Sequence, residues 1–148
     1  MTINQKKELL RFLAEDIGKG DITSSLLPKK IITARIIAKQ NCILAGVKFA
    51  KEIFCMKGCK VKVLKQDGSK IRPEQVVLKV SGYAKSVLTC ERTVLNLLTR
   101  MSGIATQTNN LVEKIRKINS KSHIFSTRKT APGLRYFDKE AVKIGFVN

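Results

Sequence analysis

Tryptophan is absent from the 148 residues, and aromatic side chains make up only 5% of them. Platforms that stack the bases of single strands need aromatics in clusters, so this composition weighs against such a role. Histidine occurs once, at His123. No Ser-His-Asp or Cys-His arrangement is evident, and one imidazole limits what could be built. The four cysteines, Cys42, Cys55, Cys59 and Cys90, contain no C-x-x-C pair. A zinc site would want paired ligands at tighter, repeated spacing, so neither a metal site nor a disulfide framework is predicted. Cys55 and Cys59 lie one helical turn apart and read as reduced, buried thiols, with their roles open. No apolar run approaches the roughly 20 residues of a membrane span; the richest window, 31–38, is interrupted by Thr33 and Arg35. The N-terminus lacks a signal peptide's apolar centre, and Glu8, Glu15 and Asp16 argue against a transit peptide. The expectation is a soluble, cytoplasmic chain.

Acidic residues are also scarce: 11 Asp and Glu stand against 29 Lys and Arg, leaving a net charge of +18. That surplus fits a nucleic-acid binder or an enzyme for polyanionic small molecules. It also fits a chain that simply tolerates lysine on its surface. The cations are scattered along the whole sequence instead of gathered in blocks. What is plentiful is core material, since hydrophobic residues make up 43% and exclude wholesale disorder.

Periodicity predicts an amphipathic helix over 4–17, with Leu9, Leu10, Leu13 and Ile17 on its apolar stripe and Phe12 on the flank. Gly18-Lys19-Gly20 should end it and open a turn into Asp21-Ile22-Thr23-Ser24. Strands are expected over 31–38 and 41–45, then a short helix carrying Val47, Ala50, Ile53, Phe54 and Met56 up to Gly58. Residues 60–65 alternate apolar and cationic as a half-exposed strand does. Asp67-Gly68-Ser69 reads as a hairpin-type turn, and 76–80 as another strand closed by Ser81-Gly82. From Ala84 the pattern is helical, with a stripe of Leu88, Leu95, Leu98 and Met101 broadened by Val94 and Leu97. Gly103 should break that helix, a second one filling 104–118. A short strand over 123–127, a Pro132-Gly133 turn and a helix over 134–144 form a β-loop-α unit at the end.

Three segments carry possible chemistry. Thr127-Arg128-Lys129-Thr130 follows a predicted strand, and residues just past a strand's carboxyl end line ligand sites in parallel α/β structures. A guanidinium there can grip a carboxylate or phosphate through two parallel hydrogen bonds, and the adjacent ammonium adds a movable charge. Arg135 adds a third cation; a solvated basic loop is the competing reading. Glu91-Arg92-Thr93 lies within the long helix, where Arg92, Asn96 and Arg100 form a polar stripe that is ligand-facing or merely solvent-facing. Gly18-Lys19-Gly20-Asp21 lacks the phosphate-loop spacing and follows a helix where such a loop follows a strand, so a capping turn explains it more simply.

In series, these segments resemble the nicotinate-nucleotide pyrophosphorylases, the quinolinate phosphoribosyltransferases. The matching residues are Glu15-Asp16-x-Gly18-x-Gly20-Asp21-x-Thr23-Ser24, Leu44-Ala45-Gly46, Asp67-Gly68 and Gly82-x-Ala84. They continue as Glu91-Arg92-Thr93-Val94-Leu95-Asn96-Leu97-Leu98 and Ser102-Gly103-Ile104-Ala105-Thr106-x-Thr108. The last run is Thr127-Arg128-Lys129-Thr130-x-Pro132-Gly133-Leu134-Arg135, with Ala141-Val142 after it. A paralogous group linked to molybdenum transport shares the Thr-Arg-Lys segment but typically lacks Glu-Arg-Thr, so Glu91-Arg92-Thr93 favours the quinolinate enzymes.

The resemblance implies an α/β fold: an N-terminal α/β sandwich, a mixed sheet with helices, over residues 1–102, then the first strand-helix unit of a truncated α/β barrel over 103–148. It implies the joining of quinolinate to phosphoribosyl pyrophosphate, giving nicotinate mononucleotide, carbon dioxide and pyrophosphate in NAD biosynthesis, with magnesium as cofactor. Both substrates are small polyanions, so neither nucleic acid nor membrane is an expected partner. By the same resemblance Arg128 binds a substrate carboxylate, Lys129 faces the reacting groups as the catalytic residue, and Thr127 shapes the site through its backbone. Arg92 would reach a carboxylate from the neighbouring subunit of a homodimer.

The departures are specific. Family members run to about twice this length, Ser126 stands where the family prefers Asp, and Gly145-Phe146-Val147-Asn148 replaces a glycine run followed by His-Arg. The carboxylates that would hold magnesium are expected outside these 148 residues. The reading is therefore a truncated or split transferase, in the split case completed by a separately encoded C-terminal half; its alternative is a folded, non-catalytic remnant that dimerises or binds anions. The region from about 124 onward is expected to be mobile or docked opportunistically on the sandwich.

Overall fold

A computed structural model describes residues 2–18, 29–118 and 124–146. Most of the predicted Gly18–Ser24 turn, and His123, lie outside the described residues.

Helix α1 (Ile3–Ile17) starts on a capping box, in which the Gln5 backbone N–H donates to Thr2 Oγ1 and the Thr2 N–H donates to Gln5 Oε1. Leu9 and Leu13 face inward, Phe12 and Ile17 pack at the margin, and Leu10 is exposed instead of lying on the stripe. Strands β1 (Ile31–Ile37), β3 (Lys60–Val63) and β5 (Val76–Tyr83) form an antiparallel sheet in the order β1-β5-β3. Strands β2 (Cys42–Ile43) and β4 (Lys70–Ile71) form a second antiparallel pair. The period-2 alternation sends Ile32, Ala34, Ile36, Val61, Leu78 and Val80 toward the helices and Thr33, Arg35, Lys60, Lys62 and Lys79 outward. Against the apolar side lie α2 (Val47–Met56) and the long α3 (Ala84–Ile118), followed by α4 (Arg135–Gly145).

Several expectations need correction. Asp67-Gly68-Ser69 does not close a hairpin between neighbouring strands, because β3 pairs with β5 while the intervening chain contributes β4 to the other sheet. Its Asp67 Oδ1 instead accepts from the Val47 N–H at the start of α2 (2.9 Å). Ser81-Gly82 does not end β5, which runs on to Tyr83. A Cβ at Gly82 would lie 2.8 Å from Cys59 Sγ, so the glycine serves a close approach within the strand.

Gly103 does not break the long helix; α3 is continuous for 35 residues. The roughly 1 kcal/mol helical penalty of one glycine is outweighed by Met101, Ser102 and Ala105, buried on either side of it. The buried stripe of α3 is Val87, Cys90, Val94, Leu97, Leu98 and Met101, whereas Leu88 and Leu95 are exposed. Residues 124–127 form no strand, as no described strand lies alongside to pair with them; the Ser126 carbonyl accepts from Lys139 Nζ (3.0 Å). Cys55 is exposed rather than buried; Cys59 and Cys90 are buried, and all four cysteines are free. Burial pushes the Cys90 thiol up to about 12, which keeps it protonated.

One core joins these elements, with Leu9, Leu13, Phe49, Ile53, Leu78, Val94, Met101 and Phe137 among its most buried members. Phe137 brings α4 into that core, its ring 5.0 Å from Phe49 and 5.3 Å from Phe12. The expected opportunistic docking is therefore wrong for α4. No helix among the described residues is long and apolar enough to cross a membrane.

Candidate anion site

Many of the motif residues have work inside the fold. The Ala45 N–H donates to Ser102 Oγ (3.0 Å), which donates in turn to the Ala45 carbonyl (3.3 Å). The Ile43 N–H donates to Thr106 Oγ1 (2.9 Å). Ser102 and Thr106 thus satisfy the backbone that arrives at Gly46. That glycine has φ 101°, and a Cβ on it would stand 3.0 Å from Met101 Sδ. Thr93 donates its hydroxyl to the Asp16 carboxylate and ties α3 to the end of α1.

The loop before α4 is held at both ends. Lys139 Nζ donates to Ser126 Oγ at 2.6 Å and to its carbonyl at 3.0 Å. At the other end the buried Asp138 accepts from the Ala131 N–H (3.3 Å) and from Arg100 Nε and Nη2 in a two-pronged pair at 2.8 and 2.9 Å. That pairing raises the pKa of Arg100 against the opposing pull of burial. Arg100 was legible only as part of a polar stripe, and Asp138 was missed. An acid directly after the apolar Phe137, in so cationic a chain, was the available signal.

Between those anchors Thr127 Oγ1 accepts from the Lys129 N–H (3.2 Å), bending the chain so that Arg128 and Lys129 stand exposed. Arg92 is exposed on α3, about two turns before Arg100. Arg92, Arg128, Lys129 and Arg135 form no ion pair with any carboxylate among the described residues. The structure brings Thr127, Arg128 and Lys129 together on one loop; it shows no contact between Arg92 and that loop. Such a loop can fix carboxylates or phosphates by charge and by forked hydrogen bonds. A hollow of about 900 Å³ between β1 and α3 is lined chiefly by apolar side chains such as Ile32, Ile36, Leu88 and Leu95. Of its charged lining residues Arg35 and Lys39 both lie on or just after β1 and Glu91 lies on α3, so an apolar wall and not a cluster of cations dominates it.

For magnesium, the residues present do not fit. No group of three or more His, Cys, Asp or Glu among the described residues could hold a metal ion. The carboxylates nearest the loop are engaged, Asp138 by Arg100 and Glu140 by Lys48 and Lys143.

The fold and this loop define an α/β protein that exposes two adjacent cations, Arg128 and Lys129, on the loop before its last described helix. Comparison with known proteins narrows the class. The quinolinate phosphoribosyl transferase N-terminal domain matches residues 21–102, and the C-terminal domain of the same enzymes matches 104–148. The chain belongs to the quinolinate phosphoribosyl transferase family. It is 44% identical over 126 residues to a probable nicotinate-nucleotide pyrophosphorylase [carboxylating] of Archaeoglobus fulgidus, covering 85% of this chain and 48% of that one. A probable nicotinate-nucleotide pyrophosphorylase [carboxylating] of Bacillus subtilis is 41% identical over 143 residues, covering 95% and 49%. The solved nicotinate-nucleotide pyrophosphorylase of Francisella tularensis superposes with a TM-score of 0.89 at 36% identity, over 95% of this chain and 50% of that one. The chain spans about half the length of the curated relatives it matches.

Proposed function

We propose that this chain supplies the N-terminal part of a quinolinate phosphoribosyltransferase, which makes nicotinate mononucleotide, carbon dioxide and pyrophosphate from quinolinate and phosphoribosyl pyrophosphate in the cytoplasm. The observation that carries the reading is the division among motif residues. Asp16, Asp67, Thr93, Ser102 and Thr106 are engaged inside the fold, whereas Arg92, Arg128 and Lys129 are exposed without carboxylate partners among the described residues.

In this reading Arg128 grips a quinolinate carboxylate in a forked pair, and Lys129 faces the reacting groups, its charge favouring the anionic leaving group. Thr127 sets the turn that aims both. Arg92 enters the site of the neighbouring subunit of a homodimer. Loss of carbon dioxide and departure of pyrophosphate need orientation and electrostatics more than a nucleophile, which accords with the lack of an evident nucleophile–base pair. Magnesium is the cofactor that the family resemblance implies; no step is assigned to it on these residues. The division into a sandwich over 1–102 and the start of a barrel over 103–148 belongs to the same reading, as does completion by a C-terminal half on a separate chain.

The test is formation of nicotinate mononucleotide by the 148-residue protein, alone and mixed with a C-terminal half taken from the Bacillus subtilis relative. The expected result is no turnover alone, turnover in the mixture, and loss of it with Lys129→Ala. Turnover of about 0.1–1 per second by the chain alone would contradict the need for a second half. An active mixture indifferent to Lys129→Ala would contradict the catalytic assignment.

A further inference from the structure

The outward face of the β1-β5-β3 sheet carries a second set of cations that the transferase reading does not use. Arg35 on β1 and Lys62 on β3 both stand directly opposite Lys79 on the central strand, so three positive side chains form one row across the sheet. With strands about 4.8 Å apart, the outer two lie roughly 10 Å from each other. Like charges placed directly opposite are destabilising. No carboxylate among the described residues pairs with any of the three, or with Lys60.

The next row is Thr33, Ser81 and Lys60, with Thr33 Oγ1 donating to Ser81 Oγ (3.5 Å). Beyond it Tyr83, 57% exposed, pairs with the exposed Ile31. A shallow depression of about 220 Å³ runs over Thr33, Lys60, Lys62, Lys79 and Ser81.

We infer that this sheet face binds a nucleoside polyphosphate. Lys79, Ser81 and Tyr83 follow one another at i, i+2 and i+4 on the same side of one strand. They offer cation, hydroxyl and aromatic ring in that order over about 13 Å. The phosphates lie on the Arg35-Lys79-Lys62 row, which removes the repulsion within it. The hydroxyls and Lys60 meet the sugar and its first phosphate. The base rests on the Tyr83 ring beside Ile31. An acidic peptide fits less well, because the centre of the face has no apolar pocket to anchor one. A longer nucleic-acid strand would need further aromatics, and the face has a single ring.

The test is a titration of the 148-residue protein, followed by backbone amide NMR, with adenosine triphosphate, inorganic triphosphate and a single-stranded oligonucleotide in low salt. Adenosine triphosphate should perturb amides of 31–35, 60–62 and 79–83. Lys79→Gln should weaken its binding about tenfold or more, as loss of a charge-assisted contact does. The same variant should melt at a higher temperature than the parent without ligand, which shows that the fold is intact. Tyr83→Leu should weaken adenosine triphosphate severalfold and leave inorganic triphosphate unchanged. Unaltered affinity in Lys79→Gln, perturbation confined to 126–130, or tighter binding of the oligonucleotide than of adenosine triphosphate would each overturn the assignment. Because none of these positions belongs to the 126–130 loop, the outcome is separate from the fate of the transferase reading.

Discussion

Two regions of this molecule carry motif residues of the same family and use them in opposite ways. At the junction of α2, β2 and α3, Ser102, Thr106 and Asp67 satisfy backbone groups, and Gly46 admits Met101. On the loop before α4, Asp138 and Lys139 fix the two ends while Arg128 and Lys129 are exposed without a carboxylate partner among the described residues. A motif residue therefore marks either a part that must fit or a part that must be left free, and hydrogen-bond partners distinguish the two. The difference is measurable: changes at the junction should cost stability, and changes on the loop should cost ligand.

The largest effect is expected where α3 and α4 touch. A Cβ at Gly145 would lie 2.5 Å from the Ala105 carbonyl oxygen and 2.6 Å from Thr108 Cβ. Gly145→Ala should then destabilise by about 2–3 kcal/mol in denaturant unfolding, since backbone cannot yield as a side-chain tip can. Asp138→Ala leaves the Arg100 guanidinium without its partner. Because Arg100 keeps 39% of its side chain in solvent, the expected loss is about 2 kcal/mol, below the figure for a fully buried pair. The same change frees the Ala131 end of the loop, so quinolinate affinity should fall with it. Ser102→Ala removes the acceptor of the buried Ala45 N–H and should cost about 1–1.5 kcal/mol, with quinolinate affinity unchanged.

A smaller effect comes from acid. Hydrogen bonds from Lys48 and Lys143, opposed by burial, hold the Glu140 carboxyl below its ordinary value of 4.5. The stability this contributes is fully present above that ordinary value and is lost as pH falls through the depressed one. Melting temperature should therefore drop below about pH 4.5, and Glu140→Gln should flatten that part of the profile. An equal acid slope in both proteins would remove the Lys48–Glu140–Lys143 cluster from the account.

Much of this architecture was legible in the residues. Apolar residues located α1 and α2 within a residue or two, the helix expected over 134–144 is α4, β-branched residues located β1, and alternation located β3. What failed to show were the quantities that depend on neighbours far along the chain. Nothing near Gly103 reveals that its neighbours Met101, Ser102 and Thr106 meet Gly46, Ala45 and Ile43, contacts made on the helix running through it. A stripe through Leu88 and Leu95 and one through Val87 and Val94 differ by about 100° of rotation, and only the surface packed against the helix selects between them. Arg128 and Lys129 were found from their motif, but the predicted strand before them is absent, since none of the described strands pairs with 124–127. Asp138, which anchors the loop, belongs to no recognised motif and emerged only from its geometry with Arg100.

The claim that the loop is kept free for a dicarboxylate is tested most directly by calorimetric titration of quinolinate into Arg128→Ala, with the unfolding free energy measured on the same sample. The account predicts binding weaker by about 1.5–3 kcal/mol, the usual worth of a charge-assisted hydrogen bond, and stability within about 0.5 kcal/mol of the parent. Undiminished quinolinate affinity in a folded Arg128→Ala protein would contradict it.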